Sequence, residues 1–186
     1  MKTEHQFAAV LKKMMESMPL DEISVTTLSK KCEVSRKTFY YHFRDVYDLL
    51  TLVYLDEKIT ANLDSIRSNK DLLEVIFKYY AKNSKFIDAT LESAGKDLFN
   101  EFIFNFCYQV IMTNFLSDDE TIRLLNTNQR KNIARFYSFA YSNTISYYLS
   151  THKTKSYEDM ASCFSFLDDD AFQKAVKNYS RMEVNA

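Results

Sequence analysis

The sequence predicts an all-α protein, and three observations predict it. The 186 residues include one glycine, Gly95, and one proline, Pro19. Sheets and long loops use both residues to turn. Apolar residues recur at three- and four-residue spacing over most of the chain, the period of a helix face. Strict alternation is never sustained, and no Asn-Gly or Asp-Gly pair marks a hairpin. An apolar content of 46% is enough to bury a core.

Phe7, Val10, Leu11, Met14, Met15 and Met18 lie on one helical face, and Pro19 ends that helix. Leu20 to Ile23 connects it to a second helix that Ser24 can N-cap, with Val25, Leu28 and Cys32 on one side. After Glu33-Val34, Ser35 can cap a short third helix, Arg36 to Phe43, with Phe39 and Phe43 inward. Asp45 can cap a fourth helix, with Asp48 near its positive end. Val46, Leu49, Leu50 and Val53 form one apolar stripe on it, and Leu52, Leu55, Ile59, Leu63 and Ile66 form another. Two stripes predict a long helix between two neighbours, tying a three-helix head to a larger second domain.

Ser68-Asn69-Lys70 marks the boundary with that second domain, and beyond it Leu72, Leu73, Ile76, Phe77 and Tyr80 recur at helical spacing. Phe86 to Leu91 reads as a short helix ended by Gly95 as a left-handed C-cap. Asp97 to Phe115 is a long aromatic helix, Ser117 to Thr127 a polar loop or loose helix, and Ile133 to Leu149 the next helix. Thr151 to Lys155 reads as a turn, followed by helices from Tyr157 to Leu167 and Phe172 to Met182. No internal repeat or low-complexity tract interrupts the pattern.

Several function classes are excluded or disfavoured. Di-iron bundles need Glu-x-x-His pairs. His5, His42 and His152 lack that spacing, and no His-Glu-x-x-His, phosphate-cradling glycine loop or Gly-x-Ser-x-Gly occurs. An enzyme is not expected, nor a metal or cofactor. Cys32, Cys107 and Cys163 are odd in number and widely spaced, so they read as small buried apolar residues. No stretch resembles a signal peptide, and none reaches the roughly 18–20 uncharged apolar residues of a membrane span. A cytoplasmic location without membrane contact is expected.

The net charge of −1 supplies no global positive field. Locally, between Thr26 and Arg44, Lys30, Lys31, Arg36, Lys37 and Arg44 face a lone acid, Glu33. Two short helices joined by a tight turn and preceded by a supporting helix follow the helix-turn-helix plan. The second helix of such a pair enters the major groove with its first residues on base edges. Here it begins Ser35-Arg36-Lys37-Thr38, all able to hydrogen-bond, while Phe39 and Phe43 occupy its inward positions. Tyr40, Tyr41 and His42 then project outward. Arg36 and Lys37 can donate to guanine or to phosphates, and Thr38 can touch a thymine methyl or a phosphate. Tyr40 and His42 have donors for the backbone, and Tyr41 a ring edge for a base or sugar. Thr26 and Thr27 start the second helix, whose free N–H groups favour a phosphate.

The segment from Ile23 to Leu50 resembles the TetR family signature. Its Val-Ser-x-x-Thr-Φ-Tyr-x-x-Phe core, with Φ apolar, stands at Val34 to Phe43, and Leu49-Leu50 match the family's apolar pair in the fourth helix. The match spans residues 5 to 55. The Arg-Lys-Thr-Phe-Tyr form is similar to the short members that include dihydroxyacetone-kinase operon regulators. The resemblance implies a helix-turn-helix DNA-binding domain over residues 1–48 and a helical effector-binding and dimerisation domain over 49–186. It implies a homodimer on a palindromic double-stranded operator, usually as an effector-responsive repressor. Thr26, Thr27, Ser35, Arg36, Lys37, Thr38, Tyr40, Tyr41 and His42 would form the DNA surface. The second domain would hold an apolar pocket for a small-molecule effector, with Phe102, Phe106, Tyr137 and Tyr141 as its lining. Ile133 to Leu149 and Tyr157 to Leu167 would pair with their twins.

Two positions depart from the family pattern. The turn position that is usually glycine is Glu33, where a left-handed backbone costs more and a carboxylate repels phosphate. The fourth helix usually begins with a lysine for a phosphate, where Val46 stands, with Arg44 or Tyr47 as substitutes. Those departures leave room for a second reading, a co-regulator or protein-interaction module on the same fold with weak or no DNA binding of its own.

Overall fold

The computed structural model describes residues 2–59, 61–116 and 125–151, with positions 159, 164, 172–174 and 176–179. Among them every regular element is helical. The helices are α1 (Lys2–Met15), α2 (Val25–Lys31), α3 (Arg36–His42), α4 (Val46–Asp56), α5 (Asn69–Leu91), α6 (Lys96–Val110) and α7 (Thr127–Thr151). A π-turn, Ile111–Phe115, continues α6. The chain divides into two compact units. One comprises Met1–Lys58, Asn83–Phe102 and Ser146–Thr151, and the other Ile59–Lys82, Ile103–Ile145 and His152–Ala186. The helices expected over Tyr157 to Leu167 and Phe172 to Met182, and the turn at Thr151 to Lys155, fall largely outside the described residues.

In the first unit, α1 closes at Met15, and the N–H groups of Ser17 and Met18 both reach back to the Met14 carbonyl before Pro19. Three side-chain caps then set three helix starts, as their residue types predict. Ser24 Oγ accepts from Thr27 N–H at 3.1 Å, Ser35 Oγ from Thr38 N–H at 3.1 Å, and Asp45 Oδ1 from Asp48 N–H at 2.8 Å. The head core is Phe7, Leu11, Leu28, Phe39, Leu49 and Leu50, all at 0% exposure. Phe7 sets its ring edge-on to Phe39 at 5.3 Å and to Phe43 at 6.0 Å, so α1 is the platform on which α3 rests.

The fourth helix is shorter than its two stripes predict. It ends at Asp56, and Glu57 turns extended at φ −67°, ψ 142°. Leu55, assigned to the second stripe, is 74% exposed. Ile66 is fully buried, but from a 3₁₀ turn, Leu63–Ser65, rather than from a continuing helix. Of that stripe only Ile66 is buried, so the apolar period here marks neither a continuing helix nor one buried face. The helix end is held by Lys12 of α1, whose ammonium lies 2.5 Å from Glu57 Oε1 and 5.1 Å from the Phe86 ring centre. Tyr54 of α4 donates to Thr90 Oγ1 at 2.9 Å, and Thr90 donates on to the Phe86 carbonyl at 3.0 Å, which joins α4 to α5 by a buried polar chain.

Gly95 differs from expectation as well. No glycine has positive φ, so it is not a left-handed cap. Its use is space: a Cβ there would lie 2.7 Å from Leu50 Cδ2. The helix that was expected to begin near Phe86 is instead the second half of α5, which departs from helical geometry at Asn83 (φ −122°, ψ 18°).

In the second unit, Ser68 and Asp71 cap α5 reciprocally. Asp71 N–H donates to Ser68 Oγ at 3.1 Å, and Asp71 Oδ2 accepts from the N–H groups of Ser68 and Arg67, each at 3.0 Å. Burial alone would raise the Asp71 carboxyl, yet those two N–H donors hold it below the ordinary range. Asn114 on the π-turn donates to the Leu63 and Ile66 carbonyls at 2.6 and 2.9 Å, which closes the 59–66 segment onto the end of α6. The helix α7 begins six residues before Ile133. Asn126 Oδ1 accepts from Gln129 N–H at 3.1 Å while Gln129 Oε1 accepts from Asn126 N–H at 2.6 Å. On its inner face Tyr141 donates to Asn69 Oδ1, both residues being buried.

Candidate nucleic-acid interface

The helix-turn-helix consists of α2, a two-residue turn and α3. Cys32 ends α2, Glu33 N–H returns to the Lys30 carbonyl and Val34 N–H to the Ser29 carbonyl, both at 3.1 Å. This paired closure needs a left-handed residue at its centre, and Glu33 supplies it at φ 57°. Glutamate at the position where the family pattern has glycine thus takes the left-handed conformation itself and places an exposed carboxylate at the bend.

From that turn, Phe39 and Phe43 point inward at 0% and 8% exposure. They orient the opposite face of α3. Arg36 and Lys37 are exposed, Tyr40 is 51% exposed and Tyr41 84%. Thr26, Thr27 and Ser35 are exposed and Thr38 is half-buried. The hydroxyls of Ser35 and Thr38 lie 3.0 Å apart, so both are engaged in the cap of α3 while remaining at its surface end. The Arg36 guanidinium carbon lies 5.9 Å from the Tyr40 ring centre, and the Tyr40 ring meets the buried Phe39 edge-on at 5.5 Å.

His42 is placed differently from Tyr40 and Tyr41. Its side chain is 18% exposed, and Nδ1 lies 3.2 Å from Glu4 Oε1 of α1. It faces the supporting helix and meets the Tyr41 ring edge-on at 5.0 Å. Tyr47, a substitute for the missing lysine, donates its phenol proton to Asp21. That hydrogen bond first, and burial second, raises the Tyr47 phenol above its ordinary range. Arg44, the other substitute, has its guanidinium 3.6 Å from Asp48. Among the described residues, Lys30, Lys31, Arg36 and Lys37 form no such ion pair, which leaves their charge available to a polyanion.

The expected pocket residues have the following partners. Phe102 belongs to the first unit and packs on Tyr54 at 5.6 Å. The other three belong to the second unit. Phe106 is buried, Tyr137 meets Phe172 at 4.7 Å, and Tyr141 is bonded to Asn69. Burial raises the Tyr137 phenol. Sequence reading missed the polar partner of Tyr141, because the apolar-face criterion passes over an asparagine at a helix start. Cys32 and Cys107 are buried free thiols. Among the described residues no group of three His, Cys, Asp or Glu side chains is placed to hold a metal ion, and no helix is long and apolar enough to cross a membrane.

A capped two-helix motif on a phenylalanine platform, with a cationic and aromatic outer face and further helices behind it, defines a helix-turn-helix regulator. The family model of a TetR-type transcriptional regulator C-terminal region matches residues 68–167, and the chain belongs to the TetR family of transcriptional regulators. Its fold is similar to that of the dihydroxyacetone kinase operon activator DhaS, at 16% identity over 97% of each chain with a TM-score of 0.57. It is also similar to the TetR family repressor AlkX from Dietzia sp. strain DQ12-45-1b, implicated in biodegradation of n-alkanes. That likeness has 17% identity over 93% of this chain and 96% of the other, with a TM-score of 0.64. At these identities the likeness is one of fold. No curated protein gives a significant sequence match.

Proposed function

We propose that this chain is a sequence-reading DNA-binding repressor that acts in the cytoplasm as a homodimer on a palindromic operator and releases it when a small molecule binds. Residues 1–48 are the DNA-binding part and 49–186 the effector-binding and dimerising part. Its role is regulatory rather than enzymatic. The observation that carries the reading is the two-sidedness of α3. Phe39 and Phe43 are buried, while Arg36, Lys37, Tyr40 and Tyr41 face solvent without a carboxylate partner. In the major groove Arg36 and Lys37 would meet base edges, and Thr26, Thr27, Ser35 and Thr38 would meet phosphates near the helix starts. His42 supports Tyr41 from behind rather than reaching the backbone itself.

The test is a mobility shift with DNA from upstream of the chain's own gene, run across salt concentrations. Binding should weaken with salt in proportion to the phosphates neutralised. Replacing Arg36, Lys37 and Tyr41 together by alanine should abolish the shift without unfolding the protein. An unchanged shift in that variant refutes the assignment. Effector response follows from linkage: a ligand that weakens DNA binding must itself bind the DNA-bound protein less tightly by the same factor. Phe106, Tyr137 and Tyr141, all of the second unit, are the proposed lining, and titration of candidate effectors against operator binding tests it. Repression is tested by a reporter behind the operator, whose output should rise when the chain is deleted. The two structural relatives bear names of opposite sign, an activator and a repressor.

A second reading has its own support. Glu33 projects from the bend, the Tyr47 phenol is engaged by Asp21, and residues 1–58 carry equal numbers of acidic and basic side chains. These favour a co-regulator that acts through a protein partner. Absence of any shift at low salt selects that reading.

A further inference from the structure

We infer that Tyr40 is a positioning residue whose ring holds the Arg36 guanidinium for base reading. This rests on the DNA-binding role proposed above. Three rings and a cation form a continuous series from the core to the surface. Phe7 of α1 packs edge-on against Phe39, which is fully buried. Phe39 packs edge-on against Tyr40 at 5.5 Å. Tyr40, half-exposed, lies one helical turn after Arg36 and has the guanidinium 5.9 Å from its centre. A cation at that distance from a ring face is attracted by the ring quadrupole.

The other basic side chain of the segment that interacts with a neighbour is Arg44, which faces the Asp48 carboxylate. A carboxylate would consume the donors that a base edge needs. An aromatic face restricts the guanidinium and leaves its in-plane N–H groups free, because a ring accepts through its face and not at the guanidinium edge. Arginine so restricted loses less side-chain freedom when it meets the paired acceptors of a guanine. Lys37 and Tyr41 have the same four-residue spacing but show no such stack, and Tyr41 leans on His42 instead. The two cations of α3 are therefore unequal: Arg36 is pre-set and Lys37 is free.

The experiment first selects a duplex from a randomised DNA library with the wild-type protein, then measures affinity for every single base-pair change. The base pair whose identity no longer matters to Arg36→Ala is the one Arg36 reads. Tyr40→Phe should keep wild-type discrimination at that base pair, whatever the hydroxyl adds to affinity over all sequences. Tyr40→Leu should lose about two- to fivefold in affinity per half-site, confined to discrimination at that base pair. The same Tyr40→Leu change made in Arg36→Ala should cost nothing further. A Tyr40→Phe variant that loses discrimination at that base pair as Tyr40→Leu does would overturn the inference, since the ring remains. So would a Tyr40→Leu variant, folded by circular dichroism, that discriminates as wild type does, or an Arg36→Ala variant that still distinguishes every base pair. In each of these cases DNA binding itself stands. If the wild-type protein enriches no duplex, the DNA-reading role falls, and this inference with it.

Discussion

At φ 57° the Cβ of a non-glycine residue crowds the neighbouring carbonyl, and Glu33 carries that strain at the bend between α2 and α3. The turn tolerates it because the hydrogen bonds from Glu33 and Val34 close α2 and let α3 follow after two residues. Glu33→Gly should therefore stabilise the protein by about 1 kcal/mol and raise Tm by about 2–4 °C. It should also tighten operator binding at low salt, with the gain shrinking as salt screens the lost carboxylate. Thermal melts and shifts at two ionic strengths check both halves, and a lower Tm would contradict the strain argument. Gly95 presents the opposite case. Its backbone is ordinary, but alanine would press on Leu50, a fully buried side chain of α4. Gly95→Ala should cost about 1–3 kcal/mol in urea unfolding. A residue's own type announced Ser24, Ser35 and Asp45 as caps, since capping uses only local backbone. Gly95 was misassigned because its reason lies in another helix, and nothing adjacent in the chain names Leu50.

Elements are legible where their ends are chemically marked. The starts of α2, α3 and α4 are, and so was the start of α7. Asn126 and Gln129 have the spacing of a reciprocal cap, but the run from Ser117 to Thr127 is polar, and the helix was expected only from Ile133. The end of α4 carries no glycine or proline, and so two apolar stripes suggested a continuation that the backbone does not make. What holds that end is tertiary: Lys12 on Glu57, and Tyr54 on Thr90. The Tyr54–Thr90 pair gives an element-scale prediction with a built-in comparison. Tyr54→Phe removes a donor and leaves Thr90 still bonded to the Phe86 carbonyl, so the cost should be about 1 kcal/mol. Thr90→Val keeps the shape but strands a buried phenol without its acceptor, so its cost should be larger, about 1–3 kcal/mol. Chemical denaturation of both variants decides. Equal costs would mean that the hydroxyl of Tyr54 finds another partner, and that α4 and α5 are joined by packing alone.

At the scale of the whole molecule, the charge of the residues proposed to face DNA is balanced by acids on the same 58 residues, so long-range attraction to a duplex is weak. Two heads acting together can compensate for a weak single head, because linking two binding modules multiplies affinity without any new contact. The proposed homodimer would supply that second head. On α7 the side chains of Phe136 and Phe139 are 69% and 57% exposed, and with Ala140 and Asn143 they recur at the three- and four-residue spacing of one helix face. Exposed aromatic rings at that spacing are unusual on a surface that meets only water. A twin helix crossing the same face in a two-fold arrangement would bury them on both sides at once. Phe136→Glu combined with Phe139→Glu would then place like charges against like across the axis. The variant should sediment as a monomer where the parent sediments as a dimer, with helical content retained. Its affinity for a full palindromic site should fall by about 100-fold or more, while its affinity for an isolated half-site stays that of the parent head. Should the parent itself sediment as a monomer, or the variant keep full-site affinity, this face of α7 is not the pairing surface. The weakly charged head would then need a protein partner on DNA.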